Sequence, residues 1–322
     1  KGLDINAGFN GFDLAAGLPF VKEIFSEVGG SLSGELAVDG TTDNIGLSGK
    51  GLTLKDGLLK VAYTNVQYHL DGPLMVDNEG IHFNNIALSD NYSGKGVVSG
   101  GLNFNDDGLN LDTRINFDNT EVLNTGTNSE EGYYGNIFGT GNVRIFGPLG
   151  AITVDGEAST TSRSNFHLAL GNAIEDGRTA TLTFRQPENH EWIDPYLQMM
   201  KEFDKAQNSD ENLQVRLKVH ASPALTCFLD FDKIGETTLK GNGNGTIGID
   251  VDSRERSLNF SGDYTLTNGN YHLSVLGITN KDFAIKDGSA IRFNGPVLDT
   301  ELDINATYTT RTSVSNLIAD TT

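Results

Sequence analysis

Between Gly262 and Tyr308, every second side chain tends to be apolar, a period that is typical of half-buried antiparallel β-strands. At the far end of this segment, Leu302, Ile304 and Tyr308 alternate with polar neighbours in the same way. A sheet built from such strands has one apolar face and one polar face. The apolar face must be covered, and the nature of its cover is the functional question that this sequence poses.

The pair Asn268-Gly269 lies inside this segment and is typical of a two-residue hairpin loop. A hairpin there places Leu266 opposite Tyr271 and Tyr264 opposite Leu273, so that all four side chains share one face. Similar Asp-Gly and Asn-Gly pairs recur along the chain and predict short strands joined by turns. They begin at Asp39, Asp56, Asp71, Asp107, Asp155, Asp176, Asp287 and Asn294.

One segment breaks the alternation. Within Lys60–Leu70 the apolar positions change from odd numbers, as at Val61, to even numbers, as at Val66. A β-bulge near Thr64-Asn65 would explain the change and would bend the sheet. The sequence has no strict repeat length, which argues against a regular solenoid.

The composition favours an extended sheet with a large wet surface. The 322 residues include 39 glycines and 7 prolines, and only 37% are hydrophobic. The formal net charge of -20 repels nucleic-acid phosphates and anionic lipid headgroups, so binding to nucleic acid is not expected.

Two segments predict short helices within an otherwise all-β chain. The first spans about residues 18–28 and ends at Gly29-Gly30, and the second begins with Asp194 as N-cap and Pro195 as first helical residue. The polar stretch Gln207–Asn212 follows the second helix. The predicted organisation is therefore an N-terminal β segment over 1–190, a helix and linker over 191–212, and a C-terminal β segment over 213–322.

Motifs for catalysis or metal binding are weak. None of the six histidines has a second ligand at helical metal spacing, and the single Cys227 lies in the context of a buried strand. The glycines of Gly241–Gly248 precede a strand, whereas a phosphate loop precedes a helix. We therefore expect no enzyme activity, no cofactor and no metal site.

The order of the C-terminal motifs resembles the C-terminal region of the TamB family, within the AsmA-like group of bridge-like lipid-transfer proteins. The matching pieces are Gly262-Asp263-Tyr264, Phe283–Ser289, Ile291–Pro296 and Leu302–Ala306. Upstream, Tyr133–Gly141, Phe146-Gly147-Pro148 and Gly241–Gly245 are similar to the versions found in Bacteroides-like bacteria.

The resemblance implies an elongated antiparallel sheet curled into a U-shaped, taco-like trough with an apolar interior. It implies lipid transport through the periplasm and an anchor in the inner membrane from a segment missing from this chain. It also implies that the full-length protein meets an Omp85-type outer-membrane barrel. The end that contacts the barrel is expected to lie beyond this chain.

The favoured hypothesis is that phospholipid acyl chains lie on the apolar face and are transported between the membranes. The predicted lipid-contacting residues are Tyr264, Leu266, Tyr271, Leu273, Val275, Phe283, Ile285, Ile291, Phe293, Leu302, Ile304 and Tyr308.

Three alternatives stay open. The same side chains form an ordinary core if the sheet closes on itself. The chain could instead act as a scaffold for outer-membrane protein assembly, through its exposed strand edges. The third alternative is an extracellular β-solenoid that binds polysaccharide.

Overall fold

The computed structural model describes residues 2–22, 24–41, 44–105, 108–127, 133–170, 212–231, 237–255, 257–275, 279–296 and 299–311. The described chain is almost entirely β-structure. A short 3-10 turn, Leu14–Gly17, and one α-helical turn, α1 (Leu18–Val21), are its helical elements. Neither is long and apolar enough to cross a membrane.

Nine early strands form a simple meander in which each strand pairs antiparallel with the next. They are β1 (Gly2–Asp13), β2 (Phe25–Thr41), β3 (Asn44–Val61), β4 (Gln67–Asp77), β5 (Gly80–Ser89), β6 (Lys95–Asn105), β7 (Gly108–Thr125), β8 (Tyr133–Pro148) and β9 (Ala151–Thr160).

Nine late strands continue the same sheet. They are β10 (Ser164–Ala169), β11 (Asn212–Ala221), β12 (Leu225–Asp230), β13 (Thr238–Asp252), β14 (Ser257–Val275), β15 (Thr279–Ile285), β16 (Ser289–Pro296), β17 (Glu301–Asp303) and β18 (Ala306–Thr307). Short strands lie end to end here. β9 and β10 both pair with β8, β11 and β12 both pair with β13, and β15 and β16 both pair with β14.

The early and late strands meet at one parallel and one antiparallel pair. β11 pairs parallel with β9 from Asn212↔Ala151 to His220↔Ser159, and β10 pairs antiparallel with β8 from Asn165↔Asn136 to Leu168↔Tyr133. Within the late strands, β10 also pairs parallel with β12 from Ser164↔Leu225 to Ala169↔Asp230. The sheet is therefore continuous from β1 to β18, although most of its pairs are antiparallel.

A line of bulges and strand breaks crosses the sheet, and we call it the crease. It passes through residues 9–12, 29–35, 54–57, 71–74, 83–86, 117–120, 160–164, 221–225, 242–243 and 285–289. Bulges bend strands and increase their twist. The irregularities fall at similar heights in most neighbouring strands, although the ladder between β6 and β7 is regular. The sheet therefore curls along this line into a trough.

The predicted hairpin at Asn268-Gly269 is wrong, since this pair lies inside the 19-residue strand β14. The ladder to β13 instead skips Thr267, because Asn242 pairs with Asn268 and Gly243 pairs with Leu266. This bulge reverses the alternation, so that even-numbered side chains before it and odd-numbered ones after it share a face.

Most of the other Asp-Gly and Asn-Gly pairs also lie inside strands rather than at turns. Asp56-Gly57 is a bulge of β3, where Asp56 has φ 51°, and Asp155-Gly156 lies within β9. Asp287-Gly288 does form a turn, between β15 and β16. The strands are consequently longer than the turn signals predicted.

Two further predictions fail at the early strands. The change of parity near Thr64-Asn65 arises from the connection between β3 and β4, not from a bulge within one strand. The first predicted helix ends at Val21, and Val28 lies in β2. The predicted helix at Pro195 and the linker at Gln207 lie outside the described residues.

Gly29-Gly30 therefore does not end a helix. Gly30 has φ +102° and faces the backbone of Gly57, where an added Cβ would lie 2.5 Å from the Gly57 Cα. Two strands approach closely at this point of the crease because neither residue has a side chain.

Hydroxyl side chains form hydrogen bonds with backbone groups where strands break along the crease. Ser164 Oγ accepts from Phe138 N at 2.9 Å, and Ser222 N donates to Thr160 Oγ1 at 3.0 Å. Ser289 Oγ accepts from Asn305 N at 3.0 Å and donates to Lys286 O at 2.8 Å. Buried backbone groups that the interrupted ladder leaves unpaired thus find partners.

Candidate functional site: the apolar inner face

The inner face is the face of the sheet that carries most of the buried apolar side chains. In the late strands it forms a continuous cluster of thirteen buried residues: Leu168, Leu170, Ala221, Leu225, Cys227, Leu229, Leu239, Phe260, Tyr264, Leu266, Ile285, Ile291 and Phe293. Leu229, Leu266 and Ile291 are each 0% exposed. Within the part of the chain that the structure describes, these side chains pack against one another as one cluster.

The inner face of the early strands is more open. Its cluster has three buried residues, Ile86, Leu88 and Val98, with half-buried neighbours such as Leu54 and Leu70 around them. At the edge strand β1 the same face is exposed to solvent, because Ile5 is 53% and Phe12 is 47% exposed.

The structure places eleven of the twelve predicted lipid-contacting residues on the inner face by register. Five of them, Tyr264, Leu266, Ile285, Ile291 and Phe293, are buried, and Tyr271 and Ile304 pack against the same cluster. Leu273 and Phe283 are half-buried, whereas Leu302 and Tyr308 are exposed. The side chain of Val275 lies outside the described part.

A row of aromatic rings runs along the inner face towards the rim at the start of β15. Phe231 and Tyr271 have centroids 5.8 Å apart, Tyr271 and Phe283 are 6.0 Å apart, and Phe283 and Tyr308 are 5.4 Å apart. Lys281 Nζ lies 5.5 Å from the centre of the Tyr308 ring. The row connects the buried cluster to exposed side chains.

The outer face is polar and carries most of the charge of the sheet. Arg144 donates to Asp112 through Nε at 2.9 Å and Nη2 at 3.0 Å, and Arg216 donates to Asp155 at 2.7 and 3.0 Å. The Arg144 guanidinium lowers the pKa of Asp112 by hydrogen bonding. The two faces of the sheet are thus chemically distinct.

One outer-face cluster joins the early and late strands. The His167 ring is stacked between Tyr134, at 4.4 Å, and Phe228, at 4.0 Å. Asp230 accepts from His167 Nδ1 at 3.0 Å, from Tyr134 Oη at 2.8 Å and from Thr238 Oγ1 at 2.9 Å. Burial alone would raise the pKa of Asp230, but these hydrogen bonds lower it below its ordinary value.

Burial raises the pKa of two other titratable groups. Burial raises the pKa of the Cys227 thiol to about 12, so the thiol is protonated and unreactive. The carboxyl of Glu121 is 1% exposed, and burial together with the nearby Asp90 raises its pKa. Among the described residues, no three His, Cys, Asp or Glu side chains are grouped to hold a metal ion.

The sequence interpretation missed the inner-face residues of β10 to β13 and the crease hydroxyls. The alternation of Leu225, Cys227 and Leu229 was a sufficient signal for the first group. No local signal marks Ser164 or Ser289, because a strand break in a partner strand is visible only after the strands are paired.

A family model described as the TamB C-terminal domain matches residues 84–321. This match covers most of the chain, including β6 to β18. The comparison with curated proteins gave no match, and the comparison with solved structures gave none either.

Proposed function

Because the chain belongs to the TamB family, we propose that its inner face shelters lipid acyl chains during their transport across the periplasm. The observation that carries this proposal is the separation of the two faces, with apolar side chains on one and charged side chains on the other. The apolar side extends from Ile5 in β1 to Leu302 in β17 and is exposed at both of these strands. The proposal assigns no chemical reaction to the chain.

The energy of the hydrophobic effect supports a continuous apolar surface. Each methylene removed from water contributes about 0.8 kcal/mol, so an acyl chain of sixteen carbons needs roughly 13 kcal/mol of shelter. Since one stretch of apolar surface resembles the next, a chain moving along the trough exchanges equivalent contacts. Such movement needs no energy source within this segment.

The test is photo-crosslinking in cells with a photoreactive amino acid placed on either face. Inner-face positions are Leu36 in β2 and Leu273 in β14, which are both half-buried. Their direct neighbours on the outer face, Glu35 and His272, serve as matched controls. We expect lipid adducts at the inner positions and a background level at the outer ones.

Equal labelling of the two faces, or no lipid adducts at well-expressed inner-face variants, would contradict the proposal. Transport should also fail when a charge is placed in the trough, because an unpaired charge against hydrocarbon is costly. Leu273→Arg is therefore expected to block lipid transport, whereas the outer-face change Asn305→Asp is expected to have no effect.

A second candidate function is the assembly of outer-membrane proteins with an Omp85-type barrel as partner. The observation that favours it is the 12-residue strand β1, which pairs with β2 and has no second partner strand among the described residues. An exposed edge can accept another strand. The molecules that co-purify with the protein discriminate between the two functions: phospholipid supports the first, and unfolded outer-membrane protein supports the second.

A further inference from the structure

The charged side chains of the paired strands obey a simple rule with one exception. By register, every described Asp, Glu, Lys and Arg at a regularly paired strand position faces outward, except Lys281. Lys281 in β15 pairs with Leu273 and alternates with Phe283 and Ile285, so it belongs to the inner face. In a chain with a net charge of -20, an inner-face cation requires an explanation.

Lys281 lies at the rim of the trough and not in its buried part. It is exposed and close to the start of β15 at Thr279, while Ile285, at the other end of that strand, is buried in the crease region. At about 3.3 Å per residue, the four residues from Lys281 to Ile285 span roughly 13 Å. The inner-face side chains between Lys281 and the bottom of the trough are apolar over this distance.

The immediate surroundings suit a cation that binds an anion. The Tyr308 ring is 5.5 Å from Lys281 Nζ and orients the side chain by a cation–π contact. None of the ion pairs among the described residues involves Lys281. Its sequence neighbour Asp282 is turned to the outer face, where it accepts from His272 Nδ1 at 2.7 Å.

We propose that Lys281 binds the phosphate group of a phospholipid whose acyl chain lies below it on Phe283 and Ile285. An ammonium–phosphate contact is a charge-assisted hydrogen bond, and aromatic side chains such as Tyr308 are suited to the boundary between apolar and polar regions. This assignment rests on the proposed function, since it adds a headgroup contact to the proposed acyl-chain site.

The test compares lipids that share acyl chains but differ in the phosphate. The purified chain is incubated with vesicles that contain phosphatidylglycerol or with vesicles that contain diacylglycerol, and bound lipid is counted by native mass spectrometry. The variants are Lys281→Gln and Lys281→Arg. The matched control is Lys240→Gln, because Lys240 makes a cation–π contact with Phe228 at the same 5.5 Å but on the outer face.

We expect the wild-type chain to retain phosphatidylglycerol about tenfold better than diacylglycerol. Lys281→Gln should remove this preference and leave diacylglycerol binding unchanged, while Lys281→Arg and Lys240→Gln should keep it. Soluble glycerol phosphate, which lacks acyl chains, should bind the wild type and Lys281→Gln equally weakly.

Two negative results have different meanings. If both lipids bind but Lys281→Gln keeps the phosphate preference, the headgroup assignment is wrong and the proposed function is untouched. If neither lipid binds to any variant, both the assignment and the acyl-chain proposal are overturned.

Discussion

The early strands, β1 to β9, and the late strands, β10 to β18, share one inner face but bury it to different degrees. The late strands pack thirteen buried apolar side chains into one cluster, whereas the nine buried apolar side chains of the early part are dispersed, with only three of them in one cluster. In the late part, pairs of short strands lie end to end across the crease, while the early strands cross it through bulges. A sheet that breaks at the crease can fold more sharply than one that only bulges there.

This contrast matters for the proposed lipid path. An acyl chain can lie on the half-exposed inner face of the early strands without displacing protein side chains. In the late strands it must compete with contacts that Leu266 and Ile291 already make with their neighbours. The same alternating pattern thus produces an open surface in one region and a packed core in the other.

The largest expected difference between the regions concerns two leucines. Leu266→Ala in the late cluster should lower the free energy of unfolding by about 3 to 5 kcal/mol, because it leaves a cavity in a packed core. Leu36→Ala in β2 should cost about 1 kcal/mol, because Leu36 is half-buried. Urea denaturation measures both values. Similar costs for the two variants would show that the regions are packed alike.

A glycine substitution tests whether the crease in the early strands excludes side chains, even though the core of these strands is loosely packed. Gly30→Ala should lower the free energy of unfolding by about 2 to 3 kcal/mol, since Gly30 has φ +102° and its added Cβ would meet the Gly57 backbone. The control is Gly8→Ala in β1, where nothing lies within 4 Å of the added Cβ. An equally mild effect at both positions would mean that the crease tolerates side chains.

The sequence predicted the fold class and the face on which most of the inner residues lie, because alternation survives in both regions. It also indicated the family, from the order of motifs between Tyr133 and Ala306. It did not predict strand lengths. Asp-Gly and Asn-Gly pairs support both hairpin loops and bulges, since both need backbone conformations that these residues adopt easily.

The bulge at Thr267 explains why the predicted hairpin was wrong although it assigned Leu266 and Tyr271 to the correct face. A two-residue hairpin and a one-residue bulge both bring even-numbered Leu266 and odd-numbered Tyr271 to the same side. A hairpin would make Leu266 and Tyr271 partners of each other. In the structure, Leu266 instead pairs with β13 and β16, and Tyr271 pairs with β13 and β15. Only the pairing of residues distant in sequence could distinguish these possibilities.

Strand breaks in the late region should depend on their hydroxyl side chains. Ser289→Ala should lower the free energy of unfolding by about 1 to 2 kcal/mol, because it leaves the Asn305 N–H without its acceptor. Ser48→Ala, at an exposed position of β3, is the matched control. If both changes are neutral, water replaces the hydroxyl and the break needs no side-chain support.

Acid should weaken the contact between early and late strands through Asp230. Its pKa is lowered in the folded protein, so it adds stability above its unfolded value of about 4 and loses that stability as the pH falls through the folded value. Asp230→Asn should therefore cost about 1 kcal/mol at pH 7 and less below pH 4. Urea midpoints between pH 7 and pH 3 measure this difference. A cost that is independent of pH would exclude ionisation of Asp230 as its cause.

The smallest effect is expected at the parallel pair of β9 and β11, which we call the parallel seam. Arg216 of β11 and Asp155 of β9 form a bidentate pair across it, but their side chains are 58% and 40% exposed. Exposed pairs of this kind contribute about 0.5 kcal/mol, so Arg216→Gln should barely change the urea midpoint. The backbone ladder from residue 212 to 220 and the inner-face contacts hold the seam instead. A cost above roughly 1.5 kcal/mol would show that outer-face charges, and not the apolar inner face, join the two regions.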